Sequence, residues 1–189
     1  MTKPQEKTIM TAEELHRMLT RIAHEILERN HGGAELVLLG IPTRGIPLAK
    51  RLGNLISDIE CKQIPIGWVD IGSYRDDISS QSPPQPNTSM VPIDLHGKRV
   101  ILVDDVVFTG RSIRAAMDAV IDFGRPQSIQ FAVLIDRGHR ELPIRPDYVG
   151  KNVPSARAEK VHVHLSEIDG YDEVLINTIP KVRNQSIID

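Results

Sequence analysis

Asp104 and Asp105 are adjacent carboxylates that follow four apolar residues, Val100-Ile-Leu-Val103, and precede Thr109-Gly-Arg-Ser112. The apolar run reads as a strand, and open α/β sheets bind ligands beyond the carboxyl ends of their strands. The Thr109–Ser112 turn leads straight into a helical pattern. Backbone N–H groups and two hydroxyls therefore face outward at a helix N-terminus, an arrangement that suits a phosphate. Two carboxylates beside an anion site are electrostatically unfavourable unless they accept hydrogen bonds from sugar hydroxyls or help hold a cation. A ribose carrying a 5-phosphate meets both conditions. Taken singly, paired acids can simply end a strand and Thr109 or Ser112 can simply cap a helix. The conjunction of strand, acids, turn and amphipathic helix within 24 residues is what gives the pattern its specificity.

Two further segments have matching chemistry. In Thr43-Arg44-Gly45 the glycine permits unusual backbone geometry and the guanidinium can grip an oxyanion, although an ordinary turn with a solvated arginine would look the same. Tyr74-Arg75-Asp76-Asp77 opens a long polar stretch in which Arg75 can neutralise charge. Other phosphate motifs fail: Gly40-Ile-Pro-Thr-Arg-Gly45 has Walker spacing without the following Lys and Ser/Thr, and no G-x-G-x-x-G occurs. Together, Val106, Phe108, Thr109, Gly110, Arg111 and Ser112 with Thr43, Arg44 and Gly45 resemble the motifs of type I phosphoribosyltransferases. That resemblance implies 5-phosphoribosyl 1-pyrophosphate as donor, Mg²⁺ bound with it, no organic cofactor and no metal site of the protein's own. It also implies displacement of pyrophosphate from C1 of ribose by a ring nitrogen, with Asp105 near C1, Asp104 beside it, and Arg44 offsetting charge on the leaving group.

The elements that must position these groups follow from periodicity. Thr11-Ala-Glu-Glu14 is a capping box, so a helix is expected from residue 11 to about 30, with Leu15, Met18, Leu19, Ile22 and Ile26 on one face. A short strand at 36–39, a second helix at 46–56 and an extended segment at 61–71 follow, with Cys61 expected as a small strand residue. Residues 72–92 carry Pro83, Pro84, Pro86 and Pro92 among polar residues and read as a long, flexible lid loop. Strand 99–103, helix 111–123 and strand 128–135 form a βαβ unit with parallel strands. Residues 136–166 read as irregular and basic, and 173–176 as a last strand. The expected fold is α/β, a mainly parallel sheet flanked by helices, with a small hood. It forms a single domain over 1–189: a core of about 10–178, a loose arm at 1–9 and a mobile tail at 181–189.

Composition narrows the function. A chain of 189 residues with 40% apolar and 25% charged residues has enough apolar material for a full core. A single cysteine excludes a disulfide framework within the chain and favours a reducing cytoplasm. No apolar run approaches the roughly 20 residues that span a bilayer, so no membrane role is expected. His162-Val-His164 alternates along an extended segment without further ligands, which favours two ordinary strand histidines over a zinc site.

Read together, residues 20–30, Thr43-Arg-Gly45, Tyr74-Arg-Asp-Asp77, 136–145 and 147–152 are similar to the bifunctional pyrimidine operon attenuator/uracil phosphoribosyltransferase family. The likeness runs from about residue 10 to 174, and 136–152 is its discriminating stretch. It departs at the proline-rich lid tip, at Ala156-Arg-Ala158 and after Val182. The resemblance implies uracil as acceptor, UMP as product, UMP or UTP as effector, pyrimidine-operon leader RNA as partner, and a homodimer or higher oligomer. Between 137 and 160 there are six Lys/Arg against three acids, in a chain of net charge −2. With Thr20, Arg21, His24 and Arg29 of the first helix, that concentration can form a surface for RNA phosphates. By resemblance Arg140, Arg145 and Lys151 join the RNA candidates, and Arg137 belongs with the nucleotide. Two alternatives stay open: a nucleotide-sensing regulator with little catalysis, and a purine-type phosphoribosyltransferase without RNA binding.

Overall fold

The computed structural model describes residues 5–75 and 88–178. A five-stranded parallel sheet is built from β2 (Leu36–Gly40), β3 (Ile66–Trp68), β4 (Arg99–Val107), β5 (Ser128–Asp136) and β6 (Tyr148–Asn152), in the order β3-β2-β4-β5-β6. Alternation along the central strands divides the core. Leu36, Leu38, Ile101, Val103, Ala132 and Leu134 face α1 (Ala12–Asn30) and α2 (Gly45–Glu60). Val37, Leu39, Val100, Leu102, Phe131 and Val133 face α3 (Arg111–Asp122). Helices cover both faces, so the middle of each central strand, 36–39, 100–103 and 131–135, is a continuous apolar run without polar alternation.

The α1 capping box is present as the sequence predicts, with Thr11 and Glu14 capping each other's backbone N–H groups. Several local expectations are corrected. The supposed arm contains a strand, β1 (Gln5–Thr11), paired antiparallel with β8 (Glu173–Thr178), which in turn pairs with β7 (Lys160–His164). This three-stranded hood was hidden because its partners lie more than 160 residues apart and Glu6, Lys7 and Thr8 are exposed. For the same reason 136–166 is not irregular throughout, since it holds β6 and β7 and leads to the short helix α4 (Ser166–Asp169). Helix α2 runs four residues beyond the expected end and stops at Cys61, an exposed left-handed cap with φ 50° rather than a strand residue. The strand within 61–71 shrinks to β3. Strand β4 continues through both acids, with Asp104 opposite Val133 and Val106 opposite Ile135.

The expected lid begins with a 3₁₀ turn, Gly72–Tyr74, and its far end is tied back by an antiparallel bridge between Met90 and Trp68. Residues 76–87, the proline-rich tip among them, and the tail from 179 onward lie outside the described residues. Among the described residues no helix is long and apolar enough to cross a membrane.

Candidate active site

The carboxyl ends of β4 and β2 meet the N-termini of α3 and α2. Gly110, at φ 95°, carries the chain from β4 into α3, and among the described residues no side chain caps that helix. The first-turn N–H groups of an α-helix have no partner inside the helix. Here they face a pocket of about 350 Å³ lined by Asp104, Val106, Phe108, Thr109, Arg111 and Ser112, with Arg75 at its edge. The Thr109 carbonyl is held from outside by the N–H groups of Glu141 and Leu142, at 2.9 and 3.2 Å. The nest-plus-helix geometry and the macrodipole both favour an anion here.

Asp104 and Asp105 sit differently. Asp104 is 8% exposed, and its Oδ1 accepts the Asp105 N–H at 2.9 Å. Burial pushes its carboxyl well above the usual range, and the negative charge of Asp105 adds to the shift. Asp105 is half-buried and its Oδ1 accepts the Val106 N–H at 2.8 Å. One acid is thus biased toward its neutral form and lines the pocket, while the other is half-buried outside that lining, so the two carboxyls are not equivalent.

Thr43 and Arg44 link β2 to α2 through a cis Pro42–Thr43 peptide, and Gly45 is the first residue of α2. A Cβ at Gly45 would stand 2.3 Å from the Val103 carbonyl, so the helix reaches this close to β4 because the residue is glycine. Arg44 does not reach into open space. Its Nη2 donates to Asp169 Oδ1 and Oδ2 at 2.9 and 3.2 Å, while its buried Nε has no hydrogen-bond partner among the described residues. His164 approaches the same carboxylate at 3.5 Å and stacks on Tyr171. One helical stretch further on, Arg51 binds Glu167 and Asp172, so the 165–172 turn is fastened to α2 at two points. Asp169 had no motif to mark it, and its role follows from three-dimensional proximity to Arg44.

The remaining candidates separate. Tyr74 turns its hydroxyl to Asp122 at 2.6 Å, beyond the pocket, whereas Arg75 lines the pocket. Asp76 lies outside the described residues. Arg137 is buried behind Phe108, with its guanidinium carbon 4.3 Å from the ring centroid and its nitrogens bound to Ser155 Oγ and the Ala156 carbonyl. Burial lowers the affinity of this guanidinium for its proton.

Of the RNA candidates, Thr20, Arg21, His24 and Arg29 lie on α1, and Lys151 on the neighbouring β6. Arg21 is bound by the Val149 and Gly150 carbonyls at 2.7 Å, Arg29 pairs with Asp147 at 2.8 Å, and Lys151 binds the Ile9 carbonyl. His24 and Arg145 are exposed. Arg140 lies apart from α1, against the β4–α3 turn, where it donates to the Phe108 carbonyl.

The chain matches the phosphoribosyl transferase domain family over residues 7–167. It is 58% identical over 172 residues to the bifunctional protein PyrR of Chloroflexus aurantiacus, covering 90% of this chain and 94% of that one. The bifunctional protein PyrR of Deinococcus deserti is 60% identical over 168 residues, covering 88% and 92%. Among solved structures, the hypoxanthine phosphoribosyltransferase of Trypanosoma cruzi superposes with a TM-score of 0.71 at 18% identity, covering 92% of this chain and 97% of that one. A Staphylococcus aureus hypoxanthine phosphoribosyltransferase gives 0.67 at 19%, covering 93% of each chain. At such identities the two structures establish the type I fold alone. The relatives go further, and with the family match they show that this chain belongs to the phosphoribosyl transferase domain family, within its group of bifunctional PyrR proteins.

Proposed function

We propose that the chain transfers the phosphoribosyl group of 5-phosphoribosyl 1-pyrophosphate to uracil, and that uridine nucleotide in the same site controls binding to pyrimidine-operon leader RNA. The observation that carries this reading is the N-terminus of α3 sharing one pocket with Asp104, whose neighbour Asp105 follows it in β4. The group of relatives, each named a bifunctional protein PyrR, supports uracil over a purine base. In the reaction the bond between C1 and the pyrophosphate oxygen breaks, uracil N1 bonds to C1, and the N1 proton leaves to solvent or a nearby base. The α3 N-terminus holds the 5-phosphate, and Asp104 and Asp105 accept hydrogen bonds from the ribose hydroxyls. Thr43, Arg44 and Gly45 receive the pyrophosphate, and Arg137 and Phe108 border the base. Catalysis then rests on positioning and on neutralising the leaving group, with no protein nucleophile.

Among the described residues no cluster of three or more His, Cys, Asp or Glu can hold a metal alone. For Mg²⁺ carried by the diphosphate, Asp104 and Asp105 offer hard oxygen donors, and the ion would stabilise charge on the leaving group. The RNA surface is α1 with β6, and a homodimer or higher oligomer in the cytoplasm would multiply its phosphate contacts.

Incubation with Mg²⁺, 5-phosphoribosyl 1-pyrophosphate and each of uracil, guanine and hypoxanthine tests the transfer. UMP from uracil is expected, and its absence sinks the enzymatic reading. A gel shift with pyrimidine leader RNA should strengthen on adding UMP, and no UMP-dependent gain sinks the regulatory one.

A further inference from the structure

We propose that Arg140 is a positioning residue for the sugar-phosphate loop and acts from behind it. The loop presents N–H groups to its ligand when its carbonyls point the other way, because each peptide plane is rigid. Those carbonyls are held by one segment. Arg140 Nη1 donates to the Phe108 carbonyl at 2.8 Å, next to the Thr109 carbonyl held by Glu141 and Leu142. The guanidinium is fixed in turn by Asp136 Oδ2 at 2.6 Å, the Ile144 carbonyl at 3.1 Å and the Gly138 carbonyl at 3.3 Å.

Four acceptors and a side chain 18% exposed leave this arginine engaged inside the protein. A planar fork can bind backbone oxygens on several sides at once, whereas an ammonium is a point charge and cannot reproduce that set. Asp136 ends β5, and Phe108 follows β4, its neighbour in the sheet, so the tie converts the spacing of two strands into the orientation of the loop. Among the described residues, the same segment also ties the loop through the Arg111–Glu141 ion pair at 3.2 Å, but Arg140 is the side chain that donates to a loop carbonyl. Arg140 therefore sets the affinity for the 5-phosphate end of the donor and of the nucleotide without touching either.

The inference rests on the phosphate reading of the loop, and calorimetry with two ligands separates the two claims. Wild-type protein is titrated with ribose 5-phosphate and, separately, with pyrophosphate and Mg²⁺. The Arg140→Gln variant should bind ribose 5-phosphate about tenfold more weakly, the scale of a lost hydrogen bond to a charged group. Pyrophosphate affinity should stay within about twofold, because its loop lies on β2 and α2. Arg140→Lys should fall between wild type and Arg140→Gln, and it decides the matter if Arg140→Gln fails to fold. If wild-type protein ignores ribose 5-phosphate, the phosphate reading itself is wrong. If wild type binds it and the variants bind it equally well, or lose both ligands in parallel, the positioning role is overturned.

Discussion

Arg44 and Asp169 form an ion pair across the gap between the N-terminus of α2 and the α4 turn, with Nη2 2.9 Å from Oδ1. The carboxyl of Asp169 lies below its ordinary pKa, held there first by the Leu165 N–H and then by Arg44 and His164. In the proposed reaction, pyrophosphate competes with this carboxylate for the guanidinium. Removing the competing charge should favour the ligand. Asp169→Asn keeps an oxygen for the Leu165 N–H, so the turn should persist. Pyrophosphate–Mg²⁺ affinity is expected to rise roughly two- to fivefold, as befits a partly exposed pair of about 1 kcal/mol or less. Calorimetry checks it, and unchanged or weaker binding would show that Asp169 does not compete with the ligand.

Asp104 carries a stability cost for function. Its folded-state pKa is raised, chiefly by burial and then by Asp105, so the folded state holds a proton that the unfolded chain releases. Stability therefore falls as pH rises from the ordinary carboxylate value through the raised one, and the penalty is complete above it. Asp104→Asn removes the penalty while keeping the oxygen that accepts from Asp105. The ligand-free variant should be more stable than wild type at neutral pH, by about 1–3 kcal/mol, the usual cost of a buried group left unsatisfied. The gap should close at acid pH. Donor affinity should fall in the same variant. Thermal melts from pH 4 to 8 test this, and a variant less stable than wild type at pH 7 would contradict it.

Local pattern was enough to read β4, α3 and the α1 capping box, because strand, turn and helix there are contiguous and each residue reports on its neighbours. The same locality carried the Thr109–Ser112 turn between β4 and α3. It failed where partners are distant: β1 looked like a polar arm because its hydrogen bonds go to β8 at the other end of the chain. Arginines were legible as charge and illegible as geometry. Arg21 and Arg140 looked alike as RNA candidates, yet one is bound by β6 carbonyls and the other by the phosphate loop. Asp169 carried no signal at all, since its meaning depends on facing Arg44.

Two glycines in the site are required for different reasons, and alanine distinguishes them. At Gly110 a Cβ would meet Leu142 Cβ at 3.5 Å, an ordinary contact, so the constraint is φ 95°. The left-handed region costs a side-chain-bearing residue roughly 1–2 kcal/mol. At Gly45 a Cβ would stand 2.3 Å from the Val103 carbonyl and 3.4 Å from Asp104 Cα, so α2 must move off β4. Gly45→Ala should therefore lower the melting temperature more than Gly110→Ala and disturb both phosphate ends of the site. Gly110→Ala should act chiefly on ribose 5-phosphate. Equal melting temperatures for the two variants would contradict the assignment of backbone contact to Gly45.

The proposed RNA surface offers a test in which stability and salt dependence part company. Arg21 donates to two β6 carbonyls and pairs with Glu25, so it fastens α1 to the sheet edge. Arg145 is exposed, one residue past the Ile144 carbonyl that accepts from Arg140 and two before Asp147, the partner of Arg29. Each phosphate contact contributes about 0.7–0.9 to the slope of log affinity against log salt. Arg145→Gln should lower that slope by roughly one contact, with melting temperature and UMP affinity unchanged. Arg21→Gln should lower the melting temperature, because two backbone carbonyls lose their donor, and should shift the slope less. Fluorescence anisotropy with labelled leader RNA and saturating UMP, repeated across a salt series, measures both slopes. A normal slope for Arg145→Gln would remove Arg145 from the RNA contacts, whereas a full-contact loss for a thermally unaltered Arg21→Gln would show that RNA draws Arg21 away from β6.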